Sequence, residues 1–391
     1  MRDAILVFNT GSSSIRFSLF SANVDPELIC HGMLAVANAQ TRFVVHDARG
    51  IVMHEEYMLQ QGKFDHAAAL RHLWRWQQSH ASTYVLKAVG HRVVHGGMAF
   101  NCPTVITQDV VAQLRALIPL APLHQPHSLN AMMIVAEEQP FLPQVACFDT
   151  AFHVTQPAVA QMFGLPREYF AEGIRRYGFH GLSYEYIASA LPTVAPALVG
   201  KRVIIAHLGN GASLCALREG KSIATTMGMT ALDGLLMGTR CGNLDPGVVL
   251  YLLAERHLDV TQLTDLLYHR CGLLGISGTS YDMRQLLADK SFAAREAIEL
   301  FIYQVNAHMG TMAAALEGVD GIIFTGGIGE HAIEIRARIC RAAAWLGLEL
   351  DALANQRGGP CISTAESVVQ AWVIATDEEK MIARHTWKAI G

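Results

Sequence analysis

The chain opens with an apolar strand, a small polar turn and a second apolar strand, Ile5-Leu6-Val7-Phe8-Asn9-Thr10-Gly11-Ser12-Ser13-Ser14-Ile15-Arg16-Phe17. The same pattern returns in Val203-Ile204-Ile205-Ala206-His207-Leu208-Gly209-Asn210-Gly211-Ala212-Ser213-Leu214-Cys215-Ala216-Leu217. Turns built from Gly, Ser and Asn bring backbone N–H groups and small hydroxyls close to a ligand without a bulky side chain in the way. An array of such donors is a phosphate cradle. The two stretches therefore predict two phosphate-binding hairpins.

The two hairpins lie about half a chain apart, which predicts two similar domains facing one nucleotide. That architecture is typical of the sugar kinase, actin and Hsp70 class and favours a phosphotransferase. The 391 residues are enough for two domains with full cores. Strands alternate with helical patterns along the chain, which indicates a mixed α/β class. We expect the domain boundary near Asp149, where the short apolar strand Gln144–Phe148 ends.

Composition narrows the class of protein further. Apolar residues make up 51% of the chain and charged residues 16%, a balance typical of a well-buried α/β enzyme with a sizeable subunit interface and not of a disordered chain. The net charge of −4 comes from interspersed signs, so nothing predicts a nucleic-acid or membrane-binding surface. The eight cysteines are scattered without a CxxC pair, and no apolar run approaches about 18 residues. We expect a soluble cytoplasmic protein with reduced thiols.

The C-terminal part of the chain carries three further local signals. The strand Gly321–Thr325 leads into a glycine-rich turn, and Val373–Ala375 is predicted as a last strand before a last helix from Asp377. Thr376-Asp377-Glu378-Glu379 has the spacing of a capping box in which Thr376 and Glu379 satisfy the start of that helix. This interpretation leaves Glu378 available for another role.

Two nucleotide signatures nearly occur. Gly220-Lys221-Ser222 ends like a Walker A loop, but Cys215 stands where the first Gly is required, so we interpret it as a turn after a strand. Gly327-Ile328-Gly329-Glu330-His331-Ala332 fits G-x-G-x-x-A and leaves an NAD-dependent oxidoreductase as a rival function. Little chain remains for a full dinucleotide-binding domain. A Gly-rich turn at a helix N-terminus, which binds adenosine or phosphate equally well, is the better interpretation.

His91 and His95 have a spacing that metal ligands use on a helix. They lie in Gly90-His91-Arg92-Val93-Val94-His95-Gly96-Gly97, which indicates a strand with glycine ends. No third ligand follows nearby, so structural hydrogen bonding is predicted for both and zinc is disfavoured.

Several segments together resemble the acetokinase family along nearly the whole chain. They are Asn9-Thr10-Gly11-Ser12-Ser13-Ser14, Gly90–Gly97, Ala121-Pro122-Leu123-His124, Phe148-Asp149-Thr150-Ala151-Phe152-His153, Arg176-Tyr177-Gly178-Phe179-His180-Gly181, His207-Leu208-Gly209-Asn210-Gly211, Met237-Gly238-Thr239-Arg240-Cys241-Gly242, Phe324-Thr325-Gly326-Gly327-Ile328-Gly329-Glu330 and Ala375-Thr376-Asp377-Glu378-Glu379.

This resemblance implies a fold and a reaction. The fold is α/β, with two duplicated actin-like (ribonuclease H-like) domains and the active site in the cleft between them. The first would span 1–149, completed by a C-terminal helix at about 378–391, and the second, nucleotide-binding domain 150–377. The implied reaction is ATP-dependent phosphorylation of acetate or another short carboxylic acid to an acyl phosphate, assisted by Mg²⁺ or Mn²⁺, in a homodimer.

The resemblance also implies site residues. The catalytic set would be Arg92, His124, Asp149, His180 and Arg240, and the metal would face Asn9 and Glu378. The nucleotide and its phosphates would contact Ser12, Ser14, Arg16, His207, Gly209, Asn210, Gly211, Asp282, Met283, Arg284, Gly326, Gly327, Ile328, Gly329 and His331. The substrate pocket would comprise Arg92, Val94, Leu123, Phe179 and Ala231, of which the last four would enclose the methyl group of acetate.

Arginine suits this chemistry because its planar, permanently charged fork binds carboxylate and phosphoryl groups bidentately. Acetate is already ionised at pH 7, so no strong general base is needed.

The chain departs from the family pattern at four positions. Arg16 stands where Lys is usual, His331 and Gln125 where Asn is usual, and Ala231 where Pro is usual. None of these removes a charged catalytic group. The alternatives that stay open are a kinase that prefers propionate or another short acid, the NAD-dependent oxidoreductase, and a catalytically silent actin-like scaffold.

Overall fold

The computed structural model describes residues 2–11, 14–37, 40–59, 64–80 and 83–391. The chain forms two compact units. Unit 1 comprises Met1–Ala151 and Asp377–Gly391, and unit 2 comprises Phe152–Thr376. None of the helices in the part of the chain that the structure describes is long and apolar enough to cross a membrane.

Unit 1 is built on an eight-stranded sheet with the order β5-β4-β3-β2-β1-β6-β8-β7. The strands are β1 Arg2–Thr10, β2 Ser14–Ser21, β3 Leu28–Ala37, β4 Gln40–Asp47, β5 Val52–Leu59, β6 Tyr84–Val93, β7 Thr104–Val105 and β8 Gln144–Phe148. The predicted first hairpin is confirmed: β1 and β2 pair antiparallel, with Asn9 opposite Arg16. The centre of the sheet is parallel, because β6 pairs with both β1 and β8 in that sense.

Three strands of unit 1 do not follow from the sequence pattern. Between β2 and the first helix the structure has β3, β4 and β5, a region for which the sequence predicts no element. Gly32 in β3 shows why the signal is weak. A Cβ on this residue would lie 2.6 Å from Cζ of Phe17, so the site requires a residue without a side chain, although Gly usually weakens a strand.

The helices of unit 1 cover the sheet. They are α1 His66–His80, α2 Gln108–Ala116, α3 Gln125–Glu138 and, at the end of the chain, the helix Glu378–Ile390, which is α15. One apolar cluster joins β1–β4 to α1 and α3 and includes Phe8, Phe17, Phe43 and Trp74. The last helix packs on β1, β6 and β8. Gly90 permits this approach, because a Cβ there would collide with Thr386 and Ile382 of α15.

Unit 2 repeats the central pattern of unit 1. Its strands are β9 Arg202–Leu208, β10 Ala212–Arg218, β11 Lys221–Thr225, β12 Gly321–Thr325 and β13 Gln370–Val373, in the order β11-β10-β9-β12-β13. The first three pair antiparallel, whereas β12 is parallel to both β9 and β13. The run β3-β2-β1-β6-β8 of unit 1 has the same order and the same directions. The architecture is therefore duplicated, as expected.

The helices of unit 2 are α4 Ala158–Gln161, α5 Arg167–Ala171, α6 Gly181–Val194, α7 Pro246–Ala254, α8 Val260–Asp265, α9 Gly272–Ser277, α10 Met283–Ala288, α11 Phe292–Leu316, α12 Gly326–His331, α13 Ile333–Ala342 and α14 Ala352–Arg357. The strand Gly321–Thr325 is confirmed. The prediction of a strand at Val373–Ala375 is wrong for most of its length, since β13 ends at Val373. Only Ala371 of Gln370–Val373 is fully buried, and the strand is defined by its pairing with β12 rather than by a local apolar run.

Candidate active site

Three parallel strands of unit 1 end at one edge of the sheet and carry three of the predicted site residues there. Asn9 lies at the end of β1, Arg92 at the end of β6, and Asp149 directly after β8. The pairing of Arg92 with Cys147 and the bond from the Asp149 N–H to the Val93 carbonyl (3.0 Å) fix this alignment. Carboxyl ends of parallel strands are where open α/β sheets bind ligands.

Arg92 and Asp149 form a bidentate ion pair. Nη2 of Arg92 lies 2.7 Å from Oδ2 of Asp149, and Nε lies 3.0 Å from Oδ1. Asp149 is 1% exposed, whereas the Arg92 side chain is 21% exposed, and its Nη1 also donates to Oδ1 of Asn9 at 3.4 Å. Burial opposes the charged form, but the carboxylates of Asp149 and Glu378 raise the pKa of Arg92. The ion pair therefore holds the Arg92 guanidinium in a fixed position while part of the Arg92 side chain stays exposed.

Glu378 joins this group from the first turn of α15, with Oε2 at 3.8 Å from Nε of Arg92. The predicted capping box is wrong. Asp377 is the N-cap and accepts from the Lys380 N–H at 2.8 Å. Glu379 instead accepts the hydroxyl of Ser18 at 2.5 Å. Burial raises the pKa of Glu379, and the Ser18 bond opposes that shift. A partner 361 residues away in sequence therefore overrides the local capping pattern.

The first phosphate hairpin is described only in part, because Ser12 lies outside the described residues. Gly11 closes the turn by donating its N–H to the Ser14 carbonyl at 2.8 Å. Arg16 is an exposed side chain of β2 opposite Asn9, so it lies at the same edge as Arg92. Nε2 of His66, at the start of α1, donates to the Gly11 carbonyl at 2.7 Å and so helps to fix the position of Gly11.

His124, Leu123 and Val94 lie around the start of α3 in unit 1. His124 is the residue before the first turn of this helix, and both Leu123 and Val94 are half-buried. The Ser128 hydroxyl in the same helix donates to the carbonyl of Arg92 at 3.2 Å. Gln125, which replaces the usual Asn, is buried and donates to the His95 carbonyl at 3.2 Å. The start of α3 is thus tied to the segment that carries Arg92.

The second hairpin and the loop after β12 lie side by side in unit 2. Gly209 follows β9 and donates its N–H to the Gly211 carbonyl at 3.0 Å. A Cβ on Gly209 would lie 3.9 Å from the backbone nitrogen of Gly327. Gly326 has φ = 76°, and a Cβ there would lie 2.8 Å from the Leu208 carbonyl oxygen. The two glycine-rich loops therefore approach one another closely, and nothing would touch a Cβ on Gly327 within 4 Å.

His180 and Arg240 meet over Gly211. A Cβ on Gly211 would lie 2.7 Å from Nη2 of Arg240 and 3.2 Å from Nε2 of His180. His180 is the N-cap of α6 in the left-handed region, with φ = 58°. Backbone of this kind is uncommon for a residue other than glycine and clusters at functional sites. His207 stacks on His180 with 4.2 Å between ring centroids, and its Nδ1 lies 2.9 Å from Oγ of Ser183.

The backbone carbonyls of Ala231 and Phe179, two residues predicted to line the acyl pocket, each accept a side-chain hydrogen bond. Nη1 of Arg240 donates to the carbonyl of Ala231 at 2.5 Å. Nε2 of His153 donates to the carbonyl of Phe179 at 2.9 Å, and burial lowers the pKa of His153 to about 4. Because a carbonyl only accepts, the neutral ring of His153 carries its proton on Nε2, and Nδ1 accepts the hydroxyl of Ser222 at 2.9 Å.

Asp282, Met283 and Arg284 begin α10. Asp282 caps this helix, and Nη2 of Arg284 lies 2.6 Å from its Oδ2. The Arg284 bond is the largest of the effects that lower the pKa of Asp282 to about 2. The segment lies beside the second hairpin, because a Cβ on Gly238 would collide with Oδ1 of Asn210 and lie 3.4 Å from Cβ of Tyr281.

The remaining predicted nucleotide residues, Ile328, Gly329 and His331, belong to α12. Glu330 in the same helix caps it from within, since Oε1 accepts the Gly326 N–H at 2.9 Å. The buried guanidinium of Arg336 donates to the carbonyls of Gly329 and Glu330 at 2.9 and 2.7 Å. This short helix is therefore fixed at both ends.

The oxygens of Asn9, Asp149 and Glu378 around Arg92 are hard donors of the kind Mg²⁺ prefers. Within residues 2–11, 14–37, 40–59, 64–80 and 83–391, no three His, Cys, Asp or Glu side chains are arranged to hold a metal by themselves. Mg²⁺ is usually held by one or two carboxylates together with substrate phosphates. The donor set fits a metal that binds in that way.

A family model described as the acetokinase family matches residues 4–384 of the chain. The chain belongs to the acetokinase family. An acetate kinase of Rhodopseudomonas palustris (strain ATCC BAA-98 / CGA009) is 53% identical over 99% of this chain and 98% of its own length. The resemblance seen in the sequence is confirmed.

Solved structures of family members share the fold. An acetate kinase of Porphyromonas gingivalis is 32% identical, with a TM-score of 0.88 and full coverage of both chains (100% each). A propionate kinase of Francisella tularensis subsp. tularensis SCHU S4 is 36% identical, with a TM-score of 0.90 over 99% of each chain. The predicted α/β class with duplicated actin-like domains is confirmed for this acetokinase-family chain.

The dinucleotide rival is not supported. The Gly327 loop follows β12, whose sheet contains only three parallel strands, β9, β12 and β13, among its described members. A dinucleotide-binding domain needs a larger parallel sheet. The glycine loop is instead part of the acetokinase fold.

Ser18, Tyr184 and Ser213 make contacts at the candidate site that the sequence pattern does not predict. Ser18 holds Glu379, whereas Ser213 and Tyr184 contact the ring of His180 and one another. Ser213 belongs to the second hairpin, but its bond to His180 depends on the three-dimensional position of that ring. No local signal in the sequence marks these contacts.

Proposed function

We propose that this acetokinase-family chain transfers the terminal phosphoryl group of ATP to acetate, reversibly, and forms acetyl phosphate. The observation that carries the proposal is the convergence of the Arg240 guanidinium and the His180 ring at Gly211, next to two glycine-rich loops. The 53% identity to an acetate kinase over 99% of the chain supports acetate as the acceptor. The test is the formation of an acyl phosphate, trapped with hydroxylamine, from ATP and acetate.

The chemistry requires two anions to approach one another. Positioning and charge neutralisation are therefore the main tasks of the protein. We propose that Arg92, held rigid by Asp149, orients the acetate carboxylate. Arg240 neutralises charge on the migrating phosphoryl group, and Nε2 of His180 donates a hydrogen bond to one of its oxygens. His124 is proposed as a further donor, and in-line attack by a carboxylate oxygen then needs no base.

The nucleotide is proposed to bind the glycine-rich loops of unit 2. Backbone N–H groups of Asn210 and Gly211 would bind phosphate oxygens, and Gly209, whose own N–H bonds the Gly211 carbonyl, would let the phosphates approach the turn. Gly326–Gly329 with His331 and the Asp282–Arg284 segment would contact the nucleoside. Ser12, Ser14 and Arg16 would contact phosphate from the first hairpin. Mg²⁺ or Mn²⁺ would be held by Asn9 and Glu378 with the phosphates, and it would neutralise charge on those phosphates.

The proposed metal role of Glu378 has a matched control in its neighbour. Glu378→Gln is expected to raise the Mg²⁺ concentration for half-maximal activity by roughly tenfold or more, since one carboxylate ligand is lost. Glu379→Gln keeps an acceptor for the Ser18 hydroxyl and is expected to leave that concentration unchanged. Mg²⁺ titrations of both variants at saturating ATP test this, and equal shifts in the two would contradict the assignment.

Ala231 is proposed to enlarge the acyl pocket and to allow propionate. The family usually has Pro at this position, so the wall loses about two carbons of bulk. One methylene in an apolar pocket is worth about 1–3 kcal/mol, or roughly 10–200-fold in discrimination. We expect the parent to use propionate nearly as well as acetate, and Ala231→Pro to restore preference for acetate. Proline keeps the carbonyl that Arg240 contacts.

The comparison of kcat/KM for both acids in the parent and in Ala231→Pro tests the pocket. The KM for ATP in each variant shows whether the substitution acts on the acyl site alone. Strong discrimination against propionate by the parent, with a ratio that Ala231→Pro does not move, would contradict the proposal.

We also propose a homodimer in the cytoplasm. An exposed apolar surface on unit 2 supports the dimer, since Tyr303 and Trp345 are 71% and 65% exposed and line one shallow pocket with Ile302 and Ala307. All eight cysteines lie in the described residues, and no disulfide joins any two of them there, which fits a reducing compartment.

A further inference from the structure

His180 is held by a chain of two buried hydroxyl groups. Nδ1 of His180 lies 2.8 Å from Oγ of Ser213, and the same Oγ makes a short bond with the phenol oxygen of Tyr184. Tyr184 and Ser213 are both 0% exposed, and His180 is 9% exposed. Ser213 comes from β10 and Tyr184 from the first turn of α6, four residues after His180. The strand β10 and the helix α6 thus contribute the two hydroxyl groups that form one hydrogen-bonded chain with Nδ1 of His180.

The direction of these hydrogen bonds decides which ring nitrogen carries a proton. In a neutral imidazole one nitrogen donates and the other accepts. If Tyr184 donates to Ser213 and Ser213 donates to Nδ1, the proton of the ring lies on Nε2. If Nδ1 donates to Ser213 instead, Nε2 is bare and presents a lone pair.

The surroundings of Nε2 favour the first direction. Nε2 lies at Gly211 beside Nη2 of Arg240, where an anionic oxygen is expected, and a lone pair there would repel it. The groups that face the ring are His207, stacked at 4.2 Å, the guanidinium of Arg240 and the phenol of Tyr184. The positive charge of the nearby Arg240 guanidinium disfavours a positive charge on the His180 ring. His153 and Ser222 show the same polarity elsewhere in unit 2, with the serine donating to Nδ1.

We propose that Tyr184 and Ser213 are positioning residues that fix His180 as the Nε2–H tautomer, so that a neutral ring donates to the transferring phosphoryl group. This assignment rests on the proposed function, because the anionic oxygen expected at Nε2 belongs to the phosphoryl group, but the tautomer can be measured without substrate. The tautomer is set by the bond that the other ring nitrogen makes. Neither residue touches substrate in this account.

The tautomer can be measured directly and without substrate. Long-range ¹H–¹⁵N correlation spectra separate bare from protonated ring nitrogens, and the His180 signals are assigned by their loss in His180→Gln. At pH 7 we expect Nε2 protonated and Nδ1 bare in the parent. Ser213→Ala is expected to give a mixture of tautomers. A bare Nε2, or two protonated nitrogens, in the parent overturns the proposal even if the enzyme is fully active.

Kinetics provide the second readout. Ser213→Ala is expected to lower kcat by roughly 10–100-fold, as for the loss of a partner that orients a functional histidine, with little change in either KM. Tyr184→Phe keeps the ring and should have a smaller effect, and the double variant should be no worse than Ser213→Ala, because the Tyr184 hydroxyl is proposed to act on His180 through Ser213.

Tyr186→Phe and Ser189→Ala are the matched controls. Both residues lie in α6. The Tyr186 ring packs on an apolar cluster of unit 2 that includes Ile187 and Leu191, and Ser189 is exposed. Both are expected to keep the parental kcat, and thermal unfolding confirms that each variant is folded. A kcat for Ser213→Ala within about twofold of the parent, or additive losses in the double variant, overturns the proposal. Absence of any acyl phosphate with every variant would instead refute the proposed function and leave the spectra to decide the tautomer.

Discussion

Arg240→Ala is expected to lower kcat by roughly 10³–10⁵-fold while the protein stays folded. An arginine that acts on a transferring phosphoryl group stabilises charge that is spread over the equatorial oxygens in the transition state. Nη2 of Arg240 lies at the Gly211 surface, and Nη1 is anchored on the Ala231 carbonyl, so the guanidinium is positioned in advance. Positioned charges of this kind need no reorganisation during the reaction.

Single-turnover measurement of phosphoryl transfer, at saturating ATP and acetate, tests this most directly. Arg240→Lys keeps the charge but loses the planar fork, and we expect it to recover only a minor part of the lost rate. Arg270→Ala is the matched control, since it breaks an exposed arginine–carboxylate pair with Asp265 (2.8 Å) in the same unit. Near-parental kcat in Arg240→Ala would show that this arginine has been given the wrong role.

Arg92→Ala is expected to lower both activity and stability. Removal of the guanidinium leaves the Asp149 carboxylate, which is 1% exposed, without its cationic partner. Breaking a buried ion pair from one side typically costs about 3–5 kcal/mol. The loss of kcat should be of the same order as for Arg240→Ala, and the KM for acetate should rise, because Arg92 is proposed to orient the carboxylate.

A double variant separates the two effects. Arg92→Ala/Asp149→Ala removes the uncompensated charge, so urea unfolding should show part of the stability restored while activity stays lost. Arg202→Ala is the control: Arg202 makes a similar two-point pair with Asp320, at 3.0 and 2.7 Å, but both side chains are about one-third exposed (38% and 32%). That variant should lose little stability and no activity. Stable, fully active Arg92→Ala would contradict the account.

The sequence predicts the parts of the fold that are encoded locally. Each hairpin is an apolar run, a turn of small residues and a second apolar run, and both form as predicted. β3, β4 and β5 could not be predicted in this way. Their pattern is broken by residues such as Gly32, whose place is set by the ring of Phe17 in the neighbouring strand.

The site shows the same limit. Motif resemblance is enough to single out Arg92, Asp149, His180 and Arg240, and the structure brings the first two together in unit 1 and the last two together in unit 2. The capping box failed because Ser18, distant in sequence, competes for Glu379. The contacts of Ser213 and Tyr184 with His180 could not be predicted, because no residue pattern reveals the left-handed backbone of His180.

The central claim is that acetate accepts the phosphoryl group. The protein, ATP, Mg²⁺ and acetate are incubated with hydroxylamine, which traps acyl phosphates as hydroxamates, and ADP is measured in parallel. We predict one hydroxamate for each ADP, and neither product when acetate is left out. ADP without hydroxamate, for acetate and for every other short-chain acid, would contradict the account.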